Sequence, residues 1–340
     1  MAGPQDLAVV IPVWNLPEDL SALLAQIAGM GVFAQVIVSD DASDPACHPE
    51  TLGFDADRLG AEVIYLRSDE QRGAGHARNL GLGAVTAGHV IFFDADDQFA
   101  PGFADIWARH RDGAAADFTI FRHTDSRVRE GELREGSFLP EEALWDAAMA
   151  GTAPDGLPEG PAPRSDAAML DPLARATLSG ISNYPWNKIY RTDFLRDNGI
   201  DCSETPVHND IRLHWLSFAH ARHVRAIRTI GAVHVVGGRG HHLTTRRGDE
   251  RLCLDGILER LTADLRAAPG NTRQMRHFIQ FVDNVCQWNI RQVDDALVPQ
   301  FTALARNAYL RFTAEEFRMY ARWQPEKAER IVEFLLAQGA

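Results

Sequence analysis

Apolar positions in the first 125 residues recur with two alternating periods. Leu7-Ala-Val-Val-Ile11 is a continuous apolar run stopped by Pro12, the mark of a strand buried on both faces. From Pro17 to Met30, Leu20, Leu23, Leu24 and Ile27 share one helical face, with Pro at the start and Gly31 beyond the end. Strands are predicted at Gln35–Ser39, Glu62–Leu66 and His89–Phe93, with a helix at Ala74–Ala87 between the last two. Phe103–His110 and Asp117–Phe121 continue the alternation. This βαβα order predicts an α/β fold, a mainly parallel sheet covered by helices on both faces, in which ligands collect at the carboxyl ends of the strands.

Regularity weakens in the middle. Residues 151–165 are rich in Pro and Gly and read as a loop, lid or linker. Short helices are expected at Thr192–Asn198 and Asn209–Ala219, and strands at Val224–Ile227 and Gly231–Val236. From about Asp249 the helical period dominates: Ile257, Leu258, Leu261 and Leu265 in one stretch, Phe278, Phe281, Val282, Val285 and Trp288 in the next, and a last helix at Glu326–Gln338. The tail aromatics, at helical spacing, read as core. The chain is thus expected to divide into 1–125, 126–245 and a helical extension, 246–340.

The chain has 340 residues, and 47 acidic side chains against 34 Lys and Arg give a formal charge of −13, which argues against a general nucleic-acid or anionic-membrane binder. Cys47, Cys202, Cys253 and Cys286 are scattered and suggest neither a zinc knuckle nor a disulfide framework, so a reduced, cytoplasmic setting is expected. No signal-peptide pattern and no run of 18 apolar residues occurs. A soluble protein is expected, with peripheral attachment to the inner face of a membrane left open.

Acidic residues gather at the strand ends. Asp94-Ala-Asp-Asp97 follows an apolar strand, where carboxylates can share a divalent cation bridging the phosphates of a nucleotide; a plain acidic turn is the alternative. Asp40-Asp-Ala-Ser-Asp44 is either a polar turn or a place for Asp41 to meet a nucleobase or ribose, with Trp14 as stacking surface or core. Gly73-Ala-Gly75 lacks the six-residue dinucleotide pattern. His234 could complete a metal shell and Arg239 could meet a diphosphate bidentately, although a solvated loop serves equally well for these and for His241-His242.

Four blocks, Ala8-Val-Val-Ile-Pro-Val-Trp-Asn15, Val36 to Asp44, Gly75-His-Ala-Arg-Asn-Leu-Gly81 and Val90 to Asp97, occur in order. Together they resemble the nucleotide-sugar half of family 2 glycosyltransferases, which have the GT-A fold. Trp14 stands where that family usually has Tyr, and Ala42 where Gly is common. The resemblance implies that Pro12, Trp14, Asn15 and Asp41 line the nucleoside and that Arg78 and Asn79 organise the pocket. It gives Asp94 the ribose and Asp96 and Asp97 a divalent metal, Mn²⁺ or Mg²⁺. Arg78 could instead only pair with a loop aspartate. Trp186 to Leu195, Asn198-Gly-Ile200 and Asn209-Asp210 resemble the family's acceptor segment, with Asn209 where Glu is frequent. Asp210 then stands as catalytic base, or caps the following helix.

The implied activity is inverting transfer of a sugar from a nucleotide-diphosphate donor, a UDP-sugar by family habit, to a hydroxyl of a glycan or lipid-linked acceptor, as in polysaccharide biosynthesis. A non-catalytic scaffold of the same fold is the alternative. A sugar nucleotidyltransferase would want a phosphate loop rich in Gly and basic residues near the first strand, and none is present. The helical tail is open to two roles, oligomer interface or acceptor wall.

Overall fold

The computed structural model describes residues 6–126, 139–150, 166–236, 246–268 and 272–337. Its sheet begins as the apolar runs require. β1 (Leu7–Val13) lies parallel between β2 (Gln35–Asp40) and β4 (His89–Phe92), and β3 (Glu62–Arg67) flanks β2. The short β5 (Gln98–Phe99) follows, then β6 (Phe118–Asp125), β7 (Ala167–Met169), β8 (Lys188–Arg191) and β9 (Val224–His234). The order across the sheet is β3-β2-β1-β4-β8-β6-β9-β5, with β7 also on β9. β8 runs antiparallel to both β4 and β6, while β6 and β9 are parallel. One sheet therefore draws strands from both halves of residues 1–245.

Alternation along β1 sorts the core into two layers. Leu7, Val9, Ile11 and Val13 face one side, where α1 (Pro17–Met30), the single-turn α2 (Ala56–Leu59) and α4 (Phe103–Asp112) pack. Ala8 and Val10 face the other side, and α3 (Ala74–Ala84) lies over them, so close that a Cβ on Gly81 would sit 2.4 Å from Val10 Cγ1. The same layer takes α5 (Leu139–Ala150), α6 (Pro172–Leu178), α7 (Thr192–Asp197) and α8 (Ile211–His220).

Two expectations need correction. The strands predicted at 224–227 and 231–236 are one strand, β9, whose pairing with β6 slips in register at Phe121/Arg122 and Arg122/His123. The helix predicted to Ala87 ends at Ala84. The Pro/Gly segment 151–165, Arg239, His241 and His242 lie outside the described residues.

The extension holds α9 (Leu254–Ala267), α10 (Thr272–Gln292), α11 (Val298–Leu310), α12 (Ala314–Trp323) and α13 (Pro325–Ala337). It shares a core with the sheet layer: Trp215 of α8 meets the rings of Phe278 and Phe281 of α10 at 5.1 and 5.2 Å. No described helix is long and apolar enough to cross a membrane.

Candidate active site

The carboxyl ends of β1, β2 and β4 open onto a cleft of about 1750 Å³, whose opposite wall comes from the extension. At the β2 end, Asp40 is buried and shapes the turn. Its carboxylate accepts N–H bonds from Ser43 (2.7 Å) and Cys47 (2.8 Å) and the Tyr65 hydroxyl (2.7 Å). Burial works against its ionisation, but these hydrogen bonds prevail and hold its pKa below the usual carboxylate range. Ala42 sits in the left-handed region (φ 63°), which accounts for the preference for Gly at this position in the family it resembles. Asn15 joins the β1 and β2 loops: its N–H donates to Ser43 Oγ (2.9 Å) and its Oδ1 accepts from Asp44 N–H (2.7 Å).

Pro12, Trp14, Asn15 and Asp41 all line the cleft, as expected. The two carboxylate oxygens of Asp41 already accept backbone N–H bonds, from Arg72 (2.9 Å) and Gly73 (2.7 Å). Asp41 thereby fixes the entry to α3 and offers a ligand only the remaining lone pairs.

α3 delivers Arg78. This guanidinium is 4% exposed, pairs with Asp94 (2.5 Å) and donates through Nη1 to Asn209 Oδ1 (2.6 Å). It joins the carboxylate rim at the strand ends to the segment carrying Asp210. The approach depends on Gly75, since a Cβ there would lie 2.0 Å from the Ser203 carbonyl oxygen. Asn79 does not line the cleft. Its amide brackets Cys202, donating to the carbonyl (3.0 Å) and accepting from the N–H (2.9 Å), so it organises the wall from behind.

Asp94, Asp96 and Asp97 line the cleft together at the end of β4. β5 pairs with β9 at Gln98↔Val233, which places His234 beside Asp97. His234 Nδ1 lies 3.0 Å from Asp97 Oδ1, which also accepts the Val235 N–H (2.9 Å). Burial would lower the imidazole pKa, but the Asp97 hydrogen bond and the nearby carboxylates raise it overall. Burial, then the charges of Asp94 and Asp97, pushes Asp96 up to about 7; Asp97 is also raised, chiefly by burial. Among the described residues, no three His, Cys, Asp or Glu side chains form a closed metal shell.

Asp210 stands at the first turn of α8 without making a side-chain cap bond, so the capping alternative is not realised. It lines the cleft, and burial pushes its pKa up to about 6 against the pull of Arg78. Tyr184 and Trp186 stack beside His234, 4.5 Å from each other and 5.2 and 5.8 Å from the imidazole.

Several residues here were not singled out as site residues in the sequence. Asn209 is the acceptor for Arg78, and a neutral side chain there leaves Asp94 as the one described carboxylate paired with that guanidinium. Lys188, 0% exposed, donates to the Tyr184 carbonyl (2.6 Å) and Asn187 Oδ1 (2.7 Å), and burial lowers its pKa to about 7. Phe281 and Trp288, read as core, line the cleft, whereas Phe278 is core.

Residues 8–151 match the family model described as Glycosyl transferase family 2. The succinoglycan biosynthesis protein ExoO of Rhizobium meliloti is 28% identical over 116 residues, 34% of this chain and about a third (32%) of that protein's length. Among solved structures, residues 1–349 of S. aureus TarS, in complex with UDP-GlcNAc, superpose with a TM-score of 0.73 at 15% identity, covering 98% of this chain and 88% of that one. The mannosyltransferase PcManGT of Pyrobaculum calidifontis, in complex with GDP-Man and Mn²⁺, gives a TM-score of 0.53 at 14% identity, covering 98% and 85%. The GT-A resemblance thus holds for the fold over nearly the whole chain.

Proposed function

We propose that this chain, whose residues 8–151 match the model of glycosyl transferase family 2, is an inverting glycosyltransferase that moves a hexosyl unit from a nucleotide-diphosphate donor to an acceptor hydroxyl. The observation that carries the reading is Asp210: an uncapped carboxyl with a pKa near 6, facing the same cleft as the strand-end carboxylates. A UDP-sugar is the donor we favour, since the superposed TarS structure holds UDP-GlcNAc.

Trp14 offers its ring to the base, and Pro12 and Asn15 shape the nucleoside pocket with the spare lone pairs of Asp41. Arg78 holds Asp94 in place for the ribose. The acidic donor set fits a divalent cation, because Asp96, raised by burial and by the charges of Asp94 and Asp97, would be relieved by a positive charge beside it. Asp96 would hold it with Asp97 Oδ2 or the remaining His234 nitrogen; the missing ligands of the shell would be diphosphate oxygens and water. A cation bound there offsets the charge that develops on the leaving diphosphate.

Asp210, as carboxylate, takes the proton of the acceptor hydroxyl while that oxygen attacks the anomeric carbon from the face opposite the diphosphate. One displacement inverts the centre. The donor half (1–125), the acceptor half (126–245) and the extension then divide the work as read from the sequence, in a cytoplasmic enzyme acting on a glycan or lipid-linked acceptor.

Incubation with a panel of nucleotide sugars and Mn²⁺ tests this. Slow release of free nucleotide is expected from at least one UDP-sugar without acceptor, and absence of both release and binding for every donor overturns the reading.

A further inference from the structure

The cleft is electrically two-sided. Its sheet side carries Asp41, Asp94, Asp96, Asp97, Glu141 and Asp210 against Arg72, which pairs with Glu204, and the buried Arg78, which pairs with Asp94. Among the described residues, the wall contributed by the extension carries Arg246, Arg251, Arg291 and Arg330 against one carboxylate, Asp283, which is buried and pairs with Arg330. This is a local excess of positive charge in a protein whose formal charge is −13.

The basic wall adjoins the Asp210 end of the cleft. His208, two residues before Asp210, meets the Trp288 ring at 6.3 Å, and its Nε2 lies 3.3 Å from Asn289 Oδ1. Arg251 Nη1 donates to that same oxygen (2.9 Å), with its guanidinium 4.6 Å from the Trp288 ring centroid. Arg251 is 1% exposed and also donates to the Arg246 carbonyl, so this corner is rigid. Trp288 and Phe281 present partly exposed rings, and no described side chain pairs with Arg246 or Arg291.

An aromatic surface flanked by guanidinium groups suits a sugar or polyol chain bearing anionic groups. The rings take apolar faces, and arginine takes phosphate or carboxylate oxygens in a planar fork. A neutral glycan would gain nothing from leaving Arg246 and Arg291 unpaired at its side. The donor diphosphate, on the proposed reading, is met at the carboxylate end.

We infer that the wall formed by Trp288, Arg246 and Arg291, with the buried Arg251 holding it from behind, is the acceptor subsite and that the acceptor is an anionic saccharide or polyol chain, carrying phosphate or carboxylate near the accepting hydroxyl. The inference rests on the proposed glycosyltransferase reading and deepens it. The anion has two chemical sources, a phosphodiester-linked chain or a uronic acid.

Calorimetric titration of the full chain with a glycerol phosphate oligomer, an oligogalacturonate and neutral maltotetraose tests it. At least one anionic probe should bind about tenfold or more tightly than the neutral one, with an affinity that falls as salt rises. The better of the two identifies the source. Arg291→Glu and Arg246→Glu should each weaken that probe by about tenfold. Arg291→Gln, which adds no repulsion and keeps the exposed site near its native shape, should cost about threefold. Equal affinity for the neutral probe, or unchanged anion binding in these variants, overturns the inference. Nucleotide release by the wild-type chain, measured in parallel, keeps the two failures apart. Release or donor binding without anion preference sinks the acceptor assignment alone, and absence of both release and binding for every donor sinks the reading beneath it.

Discussion

On the proposed function, Asp210 is the residue on which the chemistry turns. Asp210→Asn keeps the shape of the side chain but cannot take a proton, so transfer should fall about 10²–10⁴-fold while donor affinity stays within about twofold. Product formation and nucleotide binding, measured on the same preparation, check both halves. With the pKa raised to about 6, the carboxyl is protonated and inactive below that pH and becomes a base above it. The kcat/KM profile should therefore rise with pH through about 6 and level off, and that limb should vanish from the residual activity of the Asn variant. Asp96→Ala should abolish the Mn²⁺-dependent part of nucleotide binding, read by titration with and without metal. At this scale the sequence was informative where a side chain faces the cleft directly, as with Pro12, Trp14, Asp94 and Asp210. It was less so where the role is set by contacts far along the chain. Asn79 reaches Cys202, and Asp41 is engaged by the amides of residues 72 and 73.

Two of the three glycines of helix α3 make opposite demands. Gly75 lies against backbone, with a virtual Cβ 2.0 Å from the Ser203 oxygen and 2.9 Å from Asn209 Cβ. Gly75→Ala should lever the helix away, destabilise the fold by about 1–3 kcal/mol and displace Arg78 from Asn209. Gly83, exposed in the same helix, meets nothing within 4 Å, so Gly83→Ala should stabilise by about 0.4–1 kcal/mol. Urea midpoints of the two variants should move in opposite directions. Long periodic elements such as β1, α1 and α10 were legible. β5 and β7, two and three residues long, are too short to show a period and exist because β9 offers them an edge. The β9 fusion escaped because Arg228 and Thr229 interrupt the apolar run, and a register slip against β6 absorbs the irregularity. α5 was missed because the Ala, Trp and Met of Leu139–Ala150 blur any single apolar stripe.

For the molecule as a whole, the extension is built into the core of the α/β body. Trp215 packs against Phe278 and Phe281, and the apolar layer beneath α3 continues without a break into α10 and α11. Urea unfolding should be a single transition, coincident by far-UV circular dichroism and Trp fluorescence. A chain ended at residue 245 should be insoluble, because the Trp215 face of α8 would be bare. The acidity of the sequence was legible as a cluster of carboxylates at the strand ends, but its basic counterpart was not. Trp288 and Arg291 lie one helical turn apart on α10, but Arg246 and Arg251 are far from them in sequence, and only the packing of α10 brings the four to one cleft. Arg78 is different in kind. One guanidinium serves both Asp94 and Asn209, so the carboxylate rim and the segment bearing Asp210, the two sides of the proposed reaction, share a single part. Relatives that exchange one acceptor for another can do so by rewriting the exposed face of α10, whereas a change at position 78 would disturb both substrates at once. Descent within such a lineage should therefore leave Arg78 fixed while Trp288 and Arg291 drift with the polymer being made.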